Sequence, residues 1–445
     1  MTRPSLVCAM LLAAFGILPQ SVYAVSERIE TRAKEPALPE LTMDRAVAIA
    51  LARNRDVIAA KLEIREAELD KVAASLYPNP ILSYTIGNLV VGPGNTGNVA
   101  GGGAPRSPGF FQQAVNTVGV SDVVDVWAKR GARMRAADAG IRYRRLAVED
   151  ALREIVYAVR SAFADVVREQ SERELSRETR DGYAETVRLS RARFSAGEIS
   201  DAELTKTELE GLKYENALID AEQEYDIARQ KLAALLGIGT DLPFFASFPL
   251  PREFVVSAPK LTAEALNRRP DVLAARARGE LATASLGSAR REAYPDISLG
   301  VSYTHSAFTV SGDNPNSLAL TLAAPLPLFD RNQAGIGRAE LEAMRTTNDA
   351  ARLELEVRRE VADAARRLER AQSLLAVYEG GGMLDRSETA LRVAEKSYKA
   401  GAISLLELLE ARRTYIDTRA GYLRTQHDFR QSTVDLFHSI GGEPK

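Results

Sequence analysis

Short segments of the chain alternate apolar and polar residues with a period of two. In residues 297–304, Ile, Leu, Val and Tyr alternate with Ser, Gly and Thr, which predicts a strand with one apolar and one small polar face. Similar segments recur, and the predicted strands cover about 80–90, 112–126, 296–308 and 317–329. Glycine- and asparagine-rich stretches between them, such as 92–103, predict loops.

Much longer segments have the periodicity of helices. Residues 128–196 contain no proline, and a helix of that length would span roughly 100 Å. Residues 331–400 predict a matching long helix, with a kink or break at Gly380–Gly382. Their apolar residues follow heptad spacing at Val357, Val361, Ala364, Leu368, Ala371, Leu375 and Tyr378, and at Leu152, Val156, Val159, Phe163 and Val166.

The chain contains an internal duplication. Residues 50–57 resemble 265–272 at an offset of 215, and residues 194–200 resemble 398–404 at an offset of 204. The repeats are predicted at 41–239 and 261–442, joined by a linker over 240–260. Each is predicted to consist of a helix, two strands, a long helix and a shorter helix, the shorter helices being about 200–236 and 404–440. The first helices are expected at Thr42 to Leu76 and from Thr262 to the residues before Pro295.

Each long helix is predicted to end in a tight turn. Gly197 and Gly401 suit the left-handed conformation that closes a helix. Ser200 with Glu203, and Ser404 with Glu407, then have the spacing of capping boxes that open the next helices. The sequence therefore predicts two helical hairpins with similar tips.

Composition and charge narrow the class of protein. Of 445 residues, 45% are hydrophobic and 27% charged, and 58 basic against 60 acidic residues give no reason to expect a nucleic-acid partner. Residues 1–24 have the pattern of a cleaved export signal, followed by an extended segment over 25–40. The only cysteine, Cys8, lies in that signal without the small residue expected before a lipidated cysteine, so we expect no lipid anchor.

Catalytic chemistry has no sequence signature. The chain has three histidines, and His427 and His438 are eleven residues apart, too far along a helix for shared chelation. No zinc-protease, serine-hydrolase or phosphate-loop pattern occurs. We expect no enzyme activity, no cofactor and no tight metal site.

The strands allow two interpretations. An ordinary half-buried hairpin shows the same alternation as a strand whose apolar face meets lipid. In a membrane, however, a four-stranded sheet would leave two edges of unpaired N–H and C=O groups in hydrocarbon, at several kcal/mol per group. A membrane sheet therefore requires other copies of the chain, and two or three copies would supply eight or twelve strands.

The duplicated plan resembles the TolC-like outer-membrane efflux proteins, over nearly all of the chain after residue 24. The resemblance rests on the repeats and on segment 398–411, which reads YKAGAISLLELLEA. Segment 325–333, PLPLFDRNQ, is similar to the cobalt–zinc–cadmium (CzcC-like) branch. The resemblance implies a mainly helical homotrimer with a twelve-stranded outer-membrane barrel in contact with lipid, four strands per chain, and a periplasmic helical tunnel.

The same resemblance implies a passive duct that works with a periplasmic adaptor (membrane-fusion) protein and an inner-membrane pump of the RND type. The CzcC-like branch implies divalent heavy-metal cargo, with drugs or other organic compounds as the alternative. The closing aperture would involve Glu407, Glu410, Glu203 and Tyr398. The adaptor would dock on the hairpin tips, which comprise Gly197, Glu198, Ile199, Ser200, Gly401, Ala402, Ile403 and Ser404.

Plainer roles remain open for several residues. Glu203 and Glu407 stand where a capping-box glutamate belongs, whereas Glu410 has no such duty, and Tyr398 is also explained by packing. Trp127 and Phe329 suit a membrane interface or a core, and Phe110 and Phe111 suit lipid or a loop. A soluble periplasmic coiled-coil protein is the second alternative, although it does not explain the two apolar hairpins.

Overall fold

The computed structural model describes residues 40–89, 111, 114–239, 245–250, 257–306 and 314–443. The expected export signal, the glycine-rich loop 92–103, Phe110, and most of segments 25–40 and 240–260 lie outside these described residues. Helices make up most of the described chain.

The first repeat contains two short helices before its strands and two long helices after them. In chain order its elements are β1 (Glu40–Thr42), α1 (Met43–Arg53), α2 (Arg55–Ser75), β2 (Ile81–Gly87), β3 (Val115–Val124), α3 (Lys129–Ser195) and α4 (Asp201–Leu236). The second repeat has the same plan, preceded by a short strand. Its elements are β4 (Phe245–Ser247), α5 (Ala258–Arg268), α6 (Pro270–Glu292), β5 (Ile297–Ser306), β6 (Asn316–Ala323), α7 (Gln333–Gly380), α8 (Met383–Lys399) and α9 (Leu405–Ile440).

Four strands form one antiparallel sheet in the order β2-β3-β5-β6, so the two repeats meet at the β3–β5 pair. A separate parallel pair joins β1 to β4. The register places the apolar residues of the four strands in common rows. One such row consists of Leu82, Val120, Val301 and Leu320, and the adjacent row on the opposite face consists of Ser83, Gly119, Ser302 and Ala319.

The helices next to the sheet pack in the order of the strands that they continue. Helix α2 packs on α3, α3 on α6, and α6 on α7, so α2 and α7 lie at the two ends of this helical layer. Further from the sheet, α3 packs against α4 and α9, and α9 packs against α7 and then α8. The helices thus form a wall four helices wide that runs from the sheet to the two hairpin tips. Its order is α2-α3-α6-α7 next to the sheet and α4-α3-α9-α8 towards the tips.

Each repeat has its own apolar core, built on the predicted heptad residues. In the first, Val159, Phe163 and Val166 are buried against α1 and α4 residues such as Leu232. In the second, Val357, Val361, Leu368 and further seam residues are buried against α9. Heptad spacing predicts these contacts because apolar residues alternately three and four positions apart lie on one side of a helix, where they face the neighbouring helix.

Three predicted elements differ from the structure. The first helix of each repeat is two helices, divided at Asn54 and at Arg269, whose extended backbones interrupt the helical hydrogen bonding. The second repeat also begins its first helix at Ala258 rather than Thr262, with a proline in the first turn where its missing N–H costs nothing.

The third difference lies at the last strand. Strand β6 ends at Ala323 rather than near Phe329, because Pro325 and Pro327 cannot donate hydrogen bonds to a neighbouring strand. The break expected at the glycine run is present, and it divides the helix over 331–400 into α7 and α8, with a left-handed backbone at Gly382, φ 60°. Helix α3, its counterpart, is continuous over 67 residues.

Candidate functional site

The two hairpin tips have the same backbone geometry. Gly197 and Gly401 are left-handed, with φ 76° and 75°. In each tip the residue after the glycine donates a hydrogen bond back into the helix, from Glu198 N to Arg193 O at 2.9 Å and from Ala402 N to Ser397 O at 2.8 Å. These bonds satisfy carbonyls that a helix end otherwise leaves unpaired.

The two tips differ in how the following helix is capped. Ser200 Oγ accepts a hydrogen bond from Glu203 N at 3.2 Å, and Ser404 Oγ accepts one from Glu407 N at 3.3 Å. In the second tip the Glu407 carboxylate also accepts a hydrogen bond from Ser404 N at 3.1 Å, which completes a capping box. The Glu407 side chain thus stabilises the second tip, independently of any role in an aperture.

Glu410 lies one turn beyond Glu407 on α9, and both side chains are exposed. The opposite face of this part of α9 is buried and includes Leu405, Leu408 and Arg412. Glu407 also lines an open groove between α8 and α9, together with Asp385, Arg386 and Val393. Two carboxylates therefore face away from the core of the hairpin, and only that of Glu407 is bound to the backbone of the tip.

Tyr398 lies between the two hairpins. Its side chain is buried, and its hydroxyl is 3.1 Å from Ser190 Oγ on α3. The Arg193 guanidinium lies 5.2 Å from the centroid of the Tyr398 ring. Tyr398 also packs in a small apolar cluster with Leu405 and Leu408. It is thus both a packing residue and a direct contact between the first and second hairpins.

Sequence analysis missed several residues at this contact. Ser190 and Arg193 meet Tyr398, and Arg412 meets α3 from α9. Each is polar and stands on a long charged helix, so nothing in the local pattern distinguishes it from a solvated side chain. Comparing the repeats at the offset of 204 is the signal that sets Arg412 apart, because its counterpart in the first hairpin is the acidic residue Glu208.

The apolar face of the sheet is uncovered in the chain. Leu318, Leu320 and Leu322 are all exposed, with Leu320 at 84%. A soluble protein rarely leaves a contiguous apolar face of this kind open to water. The opposite face carries Thr117 and Thr304, whose hydroxyls are 3.0 Å apart, and other small polar residues.

Aromatic side chains mark the boundary between sheet and helices. Trp127 Nε1 donates to Pro295 O at 2.9 Å, and its ring stacks on Tyr294 with centroids 4.8 Å apart. Phe329 lies beyond the end of β6 and is 90% exposed, and Phe111 is exposed before β3. Trp127 thus has a packed position with a satisfied N–H, whereas Phe329 has none of the burial expected of a core residue.

No helix within the part of the chain that the structure describes combines the length and hydropathy needed to cross a bilayer. Within the same ranges, no three His, Cys, Asp or Glu side chains are grouped as ligands for a metal ion. The functional features of the described chain are therefore the exposed apolar face of the sheet, the two ends of the helical wall at α2 and α7, and the two hairpin tips.

Comparison with known proteins identifies relatives of this architecture. Residues 46–238 and 261–442 match the family described as "Outer membrane efflux protein". The cobalt-zinc-cadmium resistance protein CzcC of Cupriavidus metallidurans is 26% identical over 92% of this chain and 91% of its own. The pyoverdine export outer membrane protein OpmQ of Pseudomonas putida is 26% identical over 91% of this chain and 86% of its own.

A solved structure shares the fold. The outer membrane protein VceC of Vibrio cholerae has a TM-score of 0.69 and 20% identity, over 90% of this chain and 96% of its own. This likeness confirms the predicted fold class, which is a mainly helical chain with a small sheet and a duplicated helix–hairpin–long helix–helix unit of the TolC-like kind.

Proposed function

Because the chain belongs to the outer membrane efflux protein family, as its sequence resemblance predicts, we propose that it forms the outer-membrane exit duct of a tripartite efflux system. The duct conducts its cargo passively and catalyses no reaction. The observation that carries this proposal is the four-stranded sheet with one exposed apolar face and two open edges.

The open edges require further copies of the chain. Among the described residues, β2 and β6 each pair with one strand and have a free outer edge. If the apolar face meets lipid, each free edge leaves N–H and C=O groups unpaired in hydrocarbon, which membranes do not tolerate. Pairing β6 of one copy with β2 of the next removes both edges, and three copies close a twelve-stranded barrel.

The helical layer has complementary uncovered surfaces at the same two ends. Helix α2 continues β2, and helix α7 continues β6. Both helices expose apolar residues, namely Ile58, Leu62, Leu69 and Val72 on α2 and Leu341, Met344 and Leu355 on α7. The contact that joins β6 to β2 would bring α7 of one copy onto α2 of the next and bury these residues, so one homotrimer explains both the strand edges and the helix faces.

The direction of the duct follows from its length. Helix α3 has 67 residues and extends roughly 100 Å from the sheet. With the sheet in the outer membrane of a Gram-negative cell, the hairpin tips lie deep in the periplasm. We propose that the tips bind a periplasmic adaptor, which connects the duct to an inner-membrane RND pump, and that Glu407, Glu410, Glu203 and Tyr398 form the closing aperture.

The cargo is proposed to be divalent heavy-metal cations. This rests on the CzcC relative and on the exposed carboxylates Glu407 and Glu410 near the tips, which would form acidic rings in a trimer and attract cations. The OpmQ relative supports the alternative, an organic compound. Deleting the gene and measuring tolerance to cobalt, zinc, cadmium, copper and a drug panel separates the two, since only the lost tolerances identify the cargo.

The duct itself is tested by isolation and conductance. The full chain, expressed with its export signal, should appear in the outer-membrane fraction as a heat-modifiable trimer and form ion channels in planar bilayers. A monomer in the osmotic-shock fluid without channel activity would instead support a soluble coiled-coil protein. The intact mass of the purified chain tests two further proposals, that residues 1–24 are removed and that no lipid is attached.

A further inference from the structure

A row of polar side chains crosses the sheet near the strand ends that lie farthest from the helices. The register aligns Asn116 of β3 with His305 of β5, and His305 with Asn316 of β6. Each of the three stands four residues from the valine or leucine that its strand contributes to the row of Leu82 and Val120. Because side chains of a strand alternate between its two faces, the polar row lies on the apolar face of the sheet. The surface proposed to meet lipid therefore ends in polar side chains.

Two tyrosines of the same face bind to this polar row. Tyr84 and Tyr303 belong to the row of side chains one step closer to the helices. The Tyr84 hydroxyl donates to Asn116 Oδ1 at 2.9 Å, and the Tyr303 hydroxyl donates to Asn316 Oδ1 at 2.5 Å. Both rings are exposed on the apolar face, and both hydroxyls point away from the helices. Aromatic side chains with an apolar ring and a bonded polar tip are typical of the boundary between hydrocarbon and head groups.

The hydrogen bonds of the row define the tautomer of His305. Its Nδ1 is 2.9 Å from Asn316 Oδ1. The other end of the Asn316 amide, Nδ2, donates to Asn314 Oδ1 at 3.2 Å. An amide oxygen can only accept, so Nδ1 carries the proton, and Nε2 of the neutral ring is an acceptor. The row thus combines an imidazole acceptor, amide groups and two phenol hydroxyls, without a carboxylate or guanidinium among them.

The depth of the row matches the height of the apolar band on a membrane barrel. Strand β3 advances about 26 Å between Asn116 and Val124. With a strand tilt of about 40°, this is about 20 Å along the membrane normal, and the turn to Trp127 brings the total close to the usual band of about 25 Å. Since Trp127 lies at the boundary between sheet and helices, the polar row lies at the opposite boundary, level with the lipid head groups.

We propose that this row binds the sugar head group of the glycolipid in the outer leaflet. The inference rests on the proposed function, which places the helices in the periplasm and the row at the cell exterior. The outer leaflet there consists of lipopolysaccharide, whose innermost head group, lipid A, is a phosphorylated pair of sugars. Neutral donors and acceptors match the hydroxyl and amide groups of such sugars. A phospholipid head group, which offers only a phosphate and an ammonium, is better matched by a guanidinium and a carboxylate.

The test is the binding of purified lipid A to the delipidated, detergent-solubilised trimer of the full chain, measured by native mass spectrometry. The double variant Asn116→Ala with His305→Ala should bind lipid A about tenfold more weakly than wild type, because two side chains lose their hydrogen bonds to the sugars. Phosphatidylethanolamine has no sugar and should bind to both proteins equally. Thr304→Ala is the matched control, since Thr304 adjoins His305 on the opposite face, and it should bind lipid A like wild type.

Three outcomes would overturn the inference. The first is equal lipid A binding by wild type and the double variant, and the second is no measurable binding by wild type. The third is an equal loss of lipid A and phosphatidylethanolamine binding in the double variant, which would mean that the row contacts lipid without recognising the sugar. If the double variant yields no trimer, His305→Ala alone decides, with an expected weakening of about threefold for one hydrogen bond.

Failure of the proposed function would have a different signature. A wild-type chain that forms neither trimers nor channels contradicts the duct itself. A wild-type chain that forms channels in planar bilayers but binds no lipid A leaves the duct intact and removes only the glycolipid contact. Channel formation by the purified wild type is therefore established before any lipid is added.

Discussion

Asn54 and Arg269 stand at equivalent positions of the two repeats, and each donates a hydrogen bond to a carbonyl in the last turn of its repeat's final helix. Asn54 Nδ2 is 2.8 Å from Leu235 O, and an Arg269 guanidinium nitrogen is 3.1 Å from Ser439 O. Both residues also divide the first helix of the repeat in two. Both repeats thus have a hydrogen bond between the break in the first helix and the end of the last helix, although a different side chain makes it in each repeat.

Replacing Asn54 should be costly because this side chain has two duties. Its Oδ1 caps α2 by accepting from Asp56 N at 2.7 Å and Val57 N at 3.3 Å, and its Nδ2 satisfies Leu235 O. Asn54→Ala should lower the free energy of unfolding by about 2 to 4 kcal/mol, as a lost cap plus a buried unpaired carbonyl. Asn54→Ser keeps the cap but not the reach to Leu235, so its cost should be smaller. Denaturant unfolding measures both, and equal costs would contradict the division of duties.

The free energy of unfolding should depend on pH through His438, which lies on α9 in the second repeat. Burial, followed by the positive charge of Arg153, lowers the pKa of His438 below its ordinary 6.5, while Glu154 opposes this. His438 Nε2 is 2.7 Å from an Arg153 nitrogen and 3.0 Å from Glu154 Oε1. A single nitrogen cannot accept from the first and donate to the second, and the lowered pKa favours the neutral ring that accepts from Arg153.

The sign of the pH effect follows. A pKa lowered by folding means that the unfolded chain binds the proton first as the pH falls below about 6.5, so stability is lost from there downward through the folded pKa. His438→Gln should flatten the dependence between pH 7 and 5 by up to about 1.4 kcal/mol per pH unit. Glu154→Gln removes the opposing charge and should steepen it. Unfolding midpoints measured across that pH range would refute the assignment if His438→Gln left the slope unchanged.

The two faces of β6 should respond oppositely to charge. Leu320 belongs to the apolar face, and its neighbour Thr321 points to the small polar face opposite Gly300. Leu320→Arg places a charge in lipid at a cost of about 2 to 4 kcal/mol in each chain near mid-membrane, so the outer-membrane trimer should largely disappear. Thr321→Arg should leave the trimer intact and alter conductance. Equal trimer yields from both variants would contradict lipid contact by this face.

Local sequence patterns predicted those parts of the structure that depend on local chemistry. Period-two alternation predicted the sheet, and the glycine run predicted the break between α7 and α8. The spacing from Ser404 to Glu407 predicted the capping box, whereas the same spacing from Ser200 to Glu203 predicted a full box of which the structure shows only the bond to Ser200 Oγ. The divisions at Asn54 and Arg269 were not predicted, although asparagine is a common N-cap residue and Pro270 disfavours a helical backbone at Arg269. Their extended backbones are stabilised by carbonyls about 170 to 180 residues away in the chain.

The contacts between the hairpins required the tertiary structure. An arginine in a charged helix is normally solvated, and nothing near Arg412 in sequence indicates that α3 covers it. Thr179, which binds it, is 233 residues away. By contrast, the sequence allowed Tyr398 to be either a packing residue or an aperture residue. In the structure the same side chain packs in an apolar cluster and contacts the other hairpin. Its part in closing an aperture stays a prediction.

Gly401 should tolerate only residues that accept a left-handed backbone. Its φ is 75°, and a Cβ added there would lie 3.1 Å from an Arg193 guanidinium nitrogen. Gly401→Val should distort the second tip, since a β-branched residue in this conformation costs at least about 1 to 2 kcal/mol. Gly401→Asn should be milder, because asparagine adopts this conformation more readily. If adaptor docking uses the tips, only the valine variant should fail to restore efflux in the deletion strain, and full restoration by both would exclude a strict requirement for the tip geometry.

Glu410 is the better of the two acidic candidates for ion selectivity, because the Glu407 carboxylate also completes the capping box at Ser404. In a trimer, three copies of an exposed carboxylate at one level of the duct would attract cations and repel anions. Glu410→Gln should lower the ratio of cation to anion permeability by about twofold or more, without loss of the trimer. The reversal potential across a salt gradient in planar bilayers measures this ratio. Glu407→Gln should in addition weaken the second tip, whereas Glu388→Gln on α8 is the matched exposed control. An unchanged reversal potential in Glu410→Gln would remove Glu410 from the aperture, while a shift confined to Glu407→Gln would assign the selectivity to the capping residue.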